Sequence, residues 1–339
     1  MHDHSSKPKR SPHKGTVPAY GQKRQYTKTL PPLPIINNEL TNVIQQKTCS
    51  ILYFGRAIDC TVSQALIEIA QTQAKPTAYM QDEMSMLMNE CATYPSSVIR
   101  FHTRNMILHM DTDAVYLVAP GAKIRIAGYY YLSYDQSKKP DPSNAPFQIV
   151  CKFLKHVVAS ATKAKIAGVF LNDQEIIFIW RLLVALGHPQ SPTFLTTNNS
   201  TSSDFVNKNM RIKRSKLWDM RFHWLRNTEL KNKIIVNWAK GANNKAGSFT
   251  KHFTPSYHQK IRPTLFVNWS WVKIKYFPVC TSVPSKISKP LYYKTASAIF
   301  YFNDFFHNEM SLIQNLTDRK VFNQSWFFQV YSQMFSILL

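Results

Sequence analysis

From Glu39 to Ala74 apolar residues recur every three to four positions, with Ile44, Ile51, Ile58, Leu66 and Ile69 on the repeat. That spacing predicts helix, interrupted at Cys60-Thr61 and ended by Pro76. A second helical stretch, Tyr79–Tyr94, carries Met80, Met84, Met86, Leu87 and Met88. The stripe reads as core, because methionine fills irregular apolar gaps. From Met106 the period shortens to two, and Met106–Asp113, Ile124–Leu132 and Phe147–Leu154 read as three successive strands. A long helix follows over Thr162–Leu186, stopped by Gly187-His188-Pro189. Thr193–Thr197 reads as a strand, Ser200–Asn209 as a short helix capped by Ser200 or Thr201, and Ser215–Leu230 as a helix. Ile234–Trp238 is a fifth strand, and Asn244–Tyr257 reads as helix until Pro255. Three meander strands followed by alternating helices and strands predict an α/β fold, a mixed sheet with helices on its faces. Beyond Pro263, Trp269, Trp271, Tyr292, Phe300, Phe305, Trp326 and Phe328 crowd a segment with no clean period. It reads either as a contact surface or as sequence that specifies no fold.

Charge changes the picture most. The 339 residues hold 42 Lys and Arg against 19 Asp and Glu, a formal +23. Such a balance points to a polyanion, most often nucleic acid. The bland reading is loss of acidic residues from an ordinary protein. A small-molecule substrate is not expected. A membrane partner is not expected either, since no uncharged apolar run reaches the ~20 residues of a span. The stretch Met1–Arg10 lacks an apolar core, so no secretory signal is read and an intracellular setting is expected. The five cysteines form no Cys-x-x-Cys pair and give a zinc site no support. With only 9 glycines, turns needing positive φ fall to Asn or Asp. Residues 1–38 read as a disordered basic arm. Lys208, Arg211, Lys213, Arg214, Lys216 and Arg221 form a dense basic run, either a phosphate-tracking patch or a solvated helix face.

Several phrases stand out between Glu39 and Pro263. They are Ser50-Ile-Leu-Tyr-Phe-Gly-Arg-Ala-Ile-Asp-Cys60, Ile107-Leu-His-Met-Asp-Thr-Asp-Ala-Val-Tyr-Leu117, Ala127-Gly-Tyr-Tyr-Tyr131 and Val158-Ala-Ser-Ala-Thr-Lys-Ala-Lys165. Thr197-Asn-Asn-Ser-Thr201, Lys213-Arg-Ser-Lys-Leu-Trp-Asp-Met-Arg-Phe-His223 and Asn244-Lys-Ala-Gly-Ser-Phe-Thr-Lys251 follow. Together they resemble the end of a copia-type retrotransposon polyprotein. The first is similar to the close of its polymerase, and the next two to the first two strands of its ribonuclease H domain. The phrase ending at Lys165 resembles a family Ser-x-x-Glu-Ala-Glu helix entry, and the one starting at Thr197 a family Asp-Asn-Ser. The phrase starting at Lys213 resembles Arg-x-Lys-x-x-Asp-x-Arg-Tyr-His, and the last a pattern with Ala-Asp before x-Phe-Thr-Lys.

The resemblance implies a ribonuclease H-like five-stranded mixed sheet over 101–262. It implies a helical remnant of the reverse transcriptase over 39–100, leaving 263–339 as an aromatic-rich tail. It also implies cleavage of RNA in RNA–DNA hybrids by two Mg²⁺ ions held by four carboxylates. At the matching positions this chain has Asp113, Lys165, Asn198 and Gly247. One negative charge, one positive charge and two neutral groups cannot offset two divalent ions, so no cofactor is expected. Asp111, two residues before Asp113 and on the same strand face, is a candidate substitute carboxylate. Asp219 is a further acid, with Arg221 or Lys216 as its expected partner. Three readings stay open. One is a degenerate nuclease domain that keeps nucleic-acid binding. The second is an active nuclease using Asp111 and Asp113. The third is a non-enzymatic interaction protein on the same fold.

Overall fold

The computed structural model describes residues 10–14, 34–94, 97, 99, 101, 105–119, 123–134, 144–155, 158, 160–207 and 220–266. Strand β1 (Ile107–Ala119), β2 (Lys123–Ser133) and β3 (Pro146–Phe153) form an antiparallel meander. The chain then crosses through helix α4 (Ala161–Ala185) to β4 (Thr193–Thr197), which lies parallel to β1. Helices α5 (Ser200–Val206) and α6 (Met220–Leu230) lead to β5 (Ile234–Trp238), parallel to β4. The sheet order is β3-β2-β1-β4-β5. This mixed five-stranded sheet with flanking helices is the ribonuclease H-like fold that the resemblance implies.

Helix α4 lies close on the sheet because of two residues one turn apart on its inner face. A Cβ on Gly168 would stand 3.2 Å from the Cβ of Ala114 on β1, so glycine permits the approach. Four residues on, buried Asn172 donates to Thr112 Oγ1 (2.8 Å) and the Ala127 carbonyl (3.0 Å), and accepts from the Tyr130 hydroxyl (3.0 Å). The opposite face packs Ala127, Tyr129 and Tyr131 against Ala246, Phe249 and Leu265. Gly187 ends α4 at φ 87°, and Asn232, at φ 51°, makes the left-handed turn before β5.

Ahead of the sheet, α1 (Asn38–Ala57), α2 (Ser63–Thr72) and α3 (Ala78–Thr93) build their own apolar cluster. Its members include Ile44, Ile51, Leu66, Ile69, Met80, Met84 and Leu87, so the methionine stripe is core. Asp59 caps the 3-10 turn Cys60–Val62 between α1 and α2. Arg262 reaches back to Asp59 Oδ2 (2.6 Å) and Thr61 Oγ1 (2.9 Å).

Four expectations need correction. The Asn244–Tyr257 helix is instead two 3-10 turns, Gly241–Asn243 and Lys245–Phe249, followed by α7 (Pro255–Leu265). Asn244 breaks the run by capping the second turn with its side chain, and Pro255 starts α7 at a position where its missing N–H is not needed. Helix α7 also runs through the boundary placed between 262 and 263. The cap of α5 is Asn199, whose Oδ1 accepts from the Ser202 amide at 2.7 Å, rather than Ser200 or Thr201. Finally, part of the expected disordered arm has a defined place. His13 is 2% exposed and sits against His252 and His258, with ring centroids 4.5 and 4.9 Å away.

Candidate nucleic-acid site

Strand β4 stops at Thr197, level with Thr112 on β1. Asp113 is the next residue on β1 and Asn198 the next after β4, so topology alone makes them neighbours where the chain diverges. Lys165 stands three residues before Gly168 on α4. The close seat of Gly168 therefore delivers Lys165 to the same point. Its Nζ forms an ion pair with Asp113 Oδ1 and donates to Asn198 Oδ1 at 2.9 Å. From the other side the 3-10 turn Lys245–Phe249 brings up Gly247, where a Cβ would stand 3.9 Å from Asp113 Oδ2. The positions of Asp113, Lys165, Asn198 and Gly247 thus fall into one cluster.

Two further residues complete it. Thr250 donates its hydroxyl to Asp113 Oδ2 at 2.6 Å, and Lys251 Nζ lies 3.8 Å from the same oxygen. Both stand in the Asn244–Lys251 phrase, but nothing in the spacing marked them as partners of Asp113. Buried Arg125 supports the arrangement by donating to the Thr250 carbonyl at 3.1 Å. A lone arginine between Ile124 and Ile126 was the available signal for it.

The electrostatics follow from this crowding. Burial alone would raise the Asp113 carboxyl. The ammoniums of Lys165 and Lys251 and the hydrogen bonds from Lys165 and Thr250 outweigh burial and hold it below the usual range. Burial draws Lys165 down from its ordinary value, and Asp113 opposes that. Asp113 is therefore ionised and already satisfied. Asp111 shares its strand face and is buried as well. It is 4% exposed, and its Oδ2 accepts the Lys245 amide at 3.1 Å. Burial pushes its carboxyl up to about 6, against the opposing Lys245 and Thr196 contacts. Asp111 does not meet Lys165.

These donors do not suit two divalent ions. Hard cations need several oxygen ligands with negative charge to match. Here the Asp113 oxygens face two ammoniums and a hydroxyl, Asp111 is turned onto an amide, and Gly247 offers no side chain. No group of three or more His, Cys, Asp or Glu that could hold a metal occurs among the described residues.

Of the basic run, Lys208, Arg211, Lys213, Arg214 and Lys216 lie outside the described residues, as does Asp219. Arg221 is half-buried at the start of α6. No helix among the described residues is long and apolar enough to cross a membrane.

No protein-family model and no curated protein matches the chain. Solved structures do. One is the LC11 ribonuclease H1 in complex with an RNA/DNA hybrid, with 11% identity over 42% of this chain and 92% of that one, at a TM-score of 0.31. Another is the N-terminal ribonuclease H domain of rv2228c from Mycobacterium tuberculosis, fused to maltose binding protein. It shows 11% identity over 46% and 97%, at 0.31. A third is the foamy viral protease-reverse transcriptase in complex with dsDNA, with 13% identity over 61% and 42%, at 0.35. Identity and score are low in each case, and it is the strand order β3-β2-β1-β4-β5 that defines the fold.

Proposed function

We propose that this chain is a catalytically degenerate copia-type ribonuclease H domain preceded by the end of a reverse transcriptase. Its ancestral role is cleavage of RNA in RNA–DNA hybrids during retrotransposition, and it retains nucleic-acid binding without cleavage. One observation carries the reading: the Lys165 ammonium is seated on Asp113 and Asn198 in the cluster where the resemblance calls for carboxylates. The formal charge of +23 supports a polyanionic partner. No chemical step is assigned, because the side chains that would hold and charge-balance the metals are missing.

The active alternative through Asp111 and Asp113 has the geometry against it, since both carboxyls are engaged within the protein. The interaction-protein alternative turns on the aromatic tail, of which only residues up to 266 are described. The deciding experiment incubates the full chain with an RNA–DNA hybrid in Mg²⁺ and in Mn²⁺. The expected result is binding with no product. Metal-dependent cleavage that disappears in Asp113→Ala would overturn the degenerate reading.

A further inference from the structure

We propose that Lys165 fills the cation position of this cluster with its own ammonium, so that the site takes a phosphodiester oxygen with no divalent ion. The inference rests on the nucleic-acid reading above and names its contact.

The Lys165 Nζ joins an oxygen from β1 to an oxygen from the end of β4, by its ion pair with Asp113 Oδ1 and its 2.9 Å bond to Asn198 Oδ1. A metal ion in such a site performs the same bridging, and here a covalently held cation does it. An ammonium has three N–H donors and no acceptor. These oxygens use two of the three.

The cluster has more positive charge than its carboxylate can cancel. Lys251 stands 3.8 Å from the other oxygen of Asp113, so one carboxylate faces two ammoniums. Asp111, on the same strand face, accepts the Lys245 amide and is answered by the charge of Lys245 itself. Both lysines reach the surface, with side chains 17% and 19% exposed, while Asp113 is fully enclosed. The exposed part of the cluster is therefore lysine side chain and not carboxylate. Compact ammoniums suit phosphate oxygens as point charges. A divalent cation on the same path meets two like charges and is turned away.

The test uses the full chain and a short RNA–DNA hybrid duplex as probe, at fixed low ionic strength, first with EDTA and then with Mg²⁺. Equal affinity in the two buffers is expected. Lys165→Gln and Lys251→Gln should each weaken binding by roughly fivefold, the scale of one lost phosphate contact. Lys251→Gln leaves the Lys165–Asp113 pair intact, so it guards against a loss caused by misfolding. A second arm follows thermal melting while Mg²⁺ is added. The unmodified chain should show no shift, and Lys165→Glu/Asn198→Asp should gain one. Binding that requires Mg²⁺, affinity untouched in both folded lysine variants, or Mg²⁺-dependent stabilisation of the unmodified chain would each overturn the proposal. A chain that binds no hybrid in either buffer overturns the nucleic-acid reading and the phosphate contact with it. The melting arm still decides independently whether Lys165 holds the cation position.

Discussion

At the scale of the residue, Asp113 and Asp173 show two fates of a buried carboxyl. Asp113 is surrounded by donors and stays charged. Removing that charge strands Lys165, so Asp113→Asn should cost about 3–5 kcal/mol in urea denaturation, the usual penalty for breaking a buried pair from one side. Asp173 on α4 is equally buried but has one strong donor, the Trp224 indole N–H at 2.8 Å. Burial pushes its carboxyl up to about 7, against the opposing hydrogen bonds from Trp224 and Thr228. The shift is upward, so folding favours the acid form. The stability it gives is full below the unfolded value of 3.8 and is lost as pH rises through about 7. Asp173→Asn removes the ionisation. Its stability relative to the unmodified chain should therefore improve by roughly 2–4 kcal/mol between pH 5 and pH 8. Denaturation midpoints at the two pH values read this directly, and an unchanged difference would contradict it.

At the scale of the element, the attachment of α2 to the sheet is the most informative joint. Arg125, fully buried on β2, pairs with Glu68 on α2, and Glu68 also stands 2.9 Å from His252 Nε2. Arg125→Met should cost about 3–5 kcal/mol because it leaves the Glu68 carboxylate half-buried without its partner. The double variant Arg125→Met/Glu68→Met should recover part of that loss. Double-mutant denaturation measures the recovery, and strict additivity would show that the two residues do not act as a pair. Local pattern made some elements readable and left others hidden. Strands β4 and β5 are short apolar runs between turn residues, and their bounds coincide with the pattern. The apolar spacing over Lys245–Phe249 suits a helix and a 3-10 turn alike. The deciding fact is a long-range bond, Asn244 Nδ2 to the Thr112 carbonyl at 2.9 Å, which no local window contains. The place of His13 was hidden for the same reason, since its partners stand near the other end of the described chain.

At the scale of the whole molecule, the formal charge of +23 suits a polyanionic partner. Hybrid affinity should fall by at least ~10-fold between 50 and 200 mM salt, as phosphate contacts displace counterions. Equilibrium titrations at the two salt concentrations check this, and a flat response would remove the phosphate-tracking reading. The four cluster positions were legible because each lies in a phrase with recognisable neighbours. What those phrases could not convey is that Lys165 binds Asp113 and Asn198 together. Cleavage should return only in Lys165→Glu/Asn198→Asp/Gly247→Asp, assayed with Mg²⁺ on a labelled hybrid, because groups that act as a unit fail singly. Room for the third change exists, since a Cβ at Gly247 meets nothing closer than 3.9 Å.

The Lys165–Asp113 pair also makes the effect of a change at this point depend on its neighbours. Asn198→Asp gives Lys165 a second counter-charge, which the ammonium absorbs. Gly247→Asp sets a carboxylate beside Asp113, whose oxygens already face the ammoniums of Lys165 and Lys251. Lys165→Glu does the reverse: it removes the charge that absorbs the others and presses carboxylate on carboxylate in an enclosed site. The same acid is therefore mild or severe according to whether one ammonium is still in place.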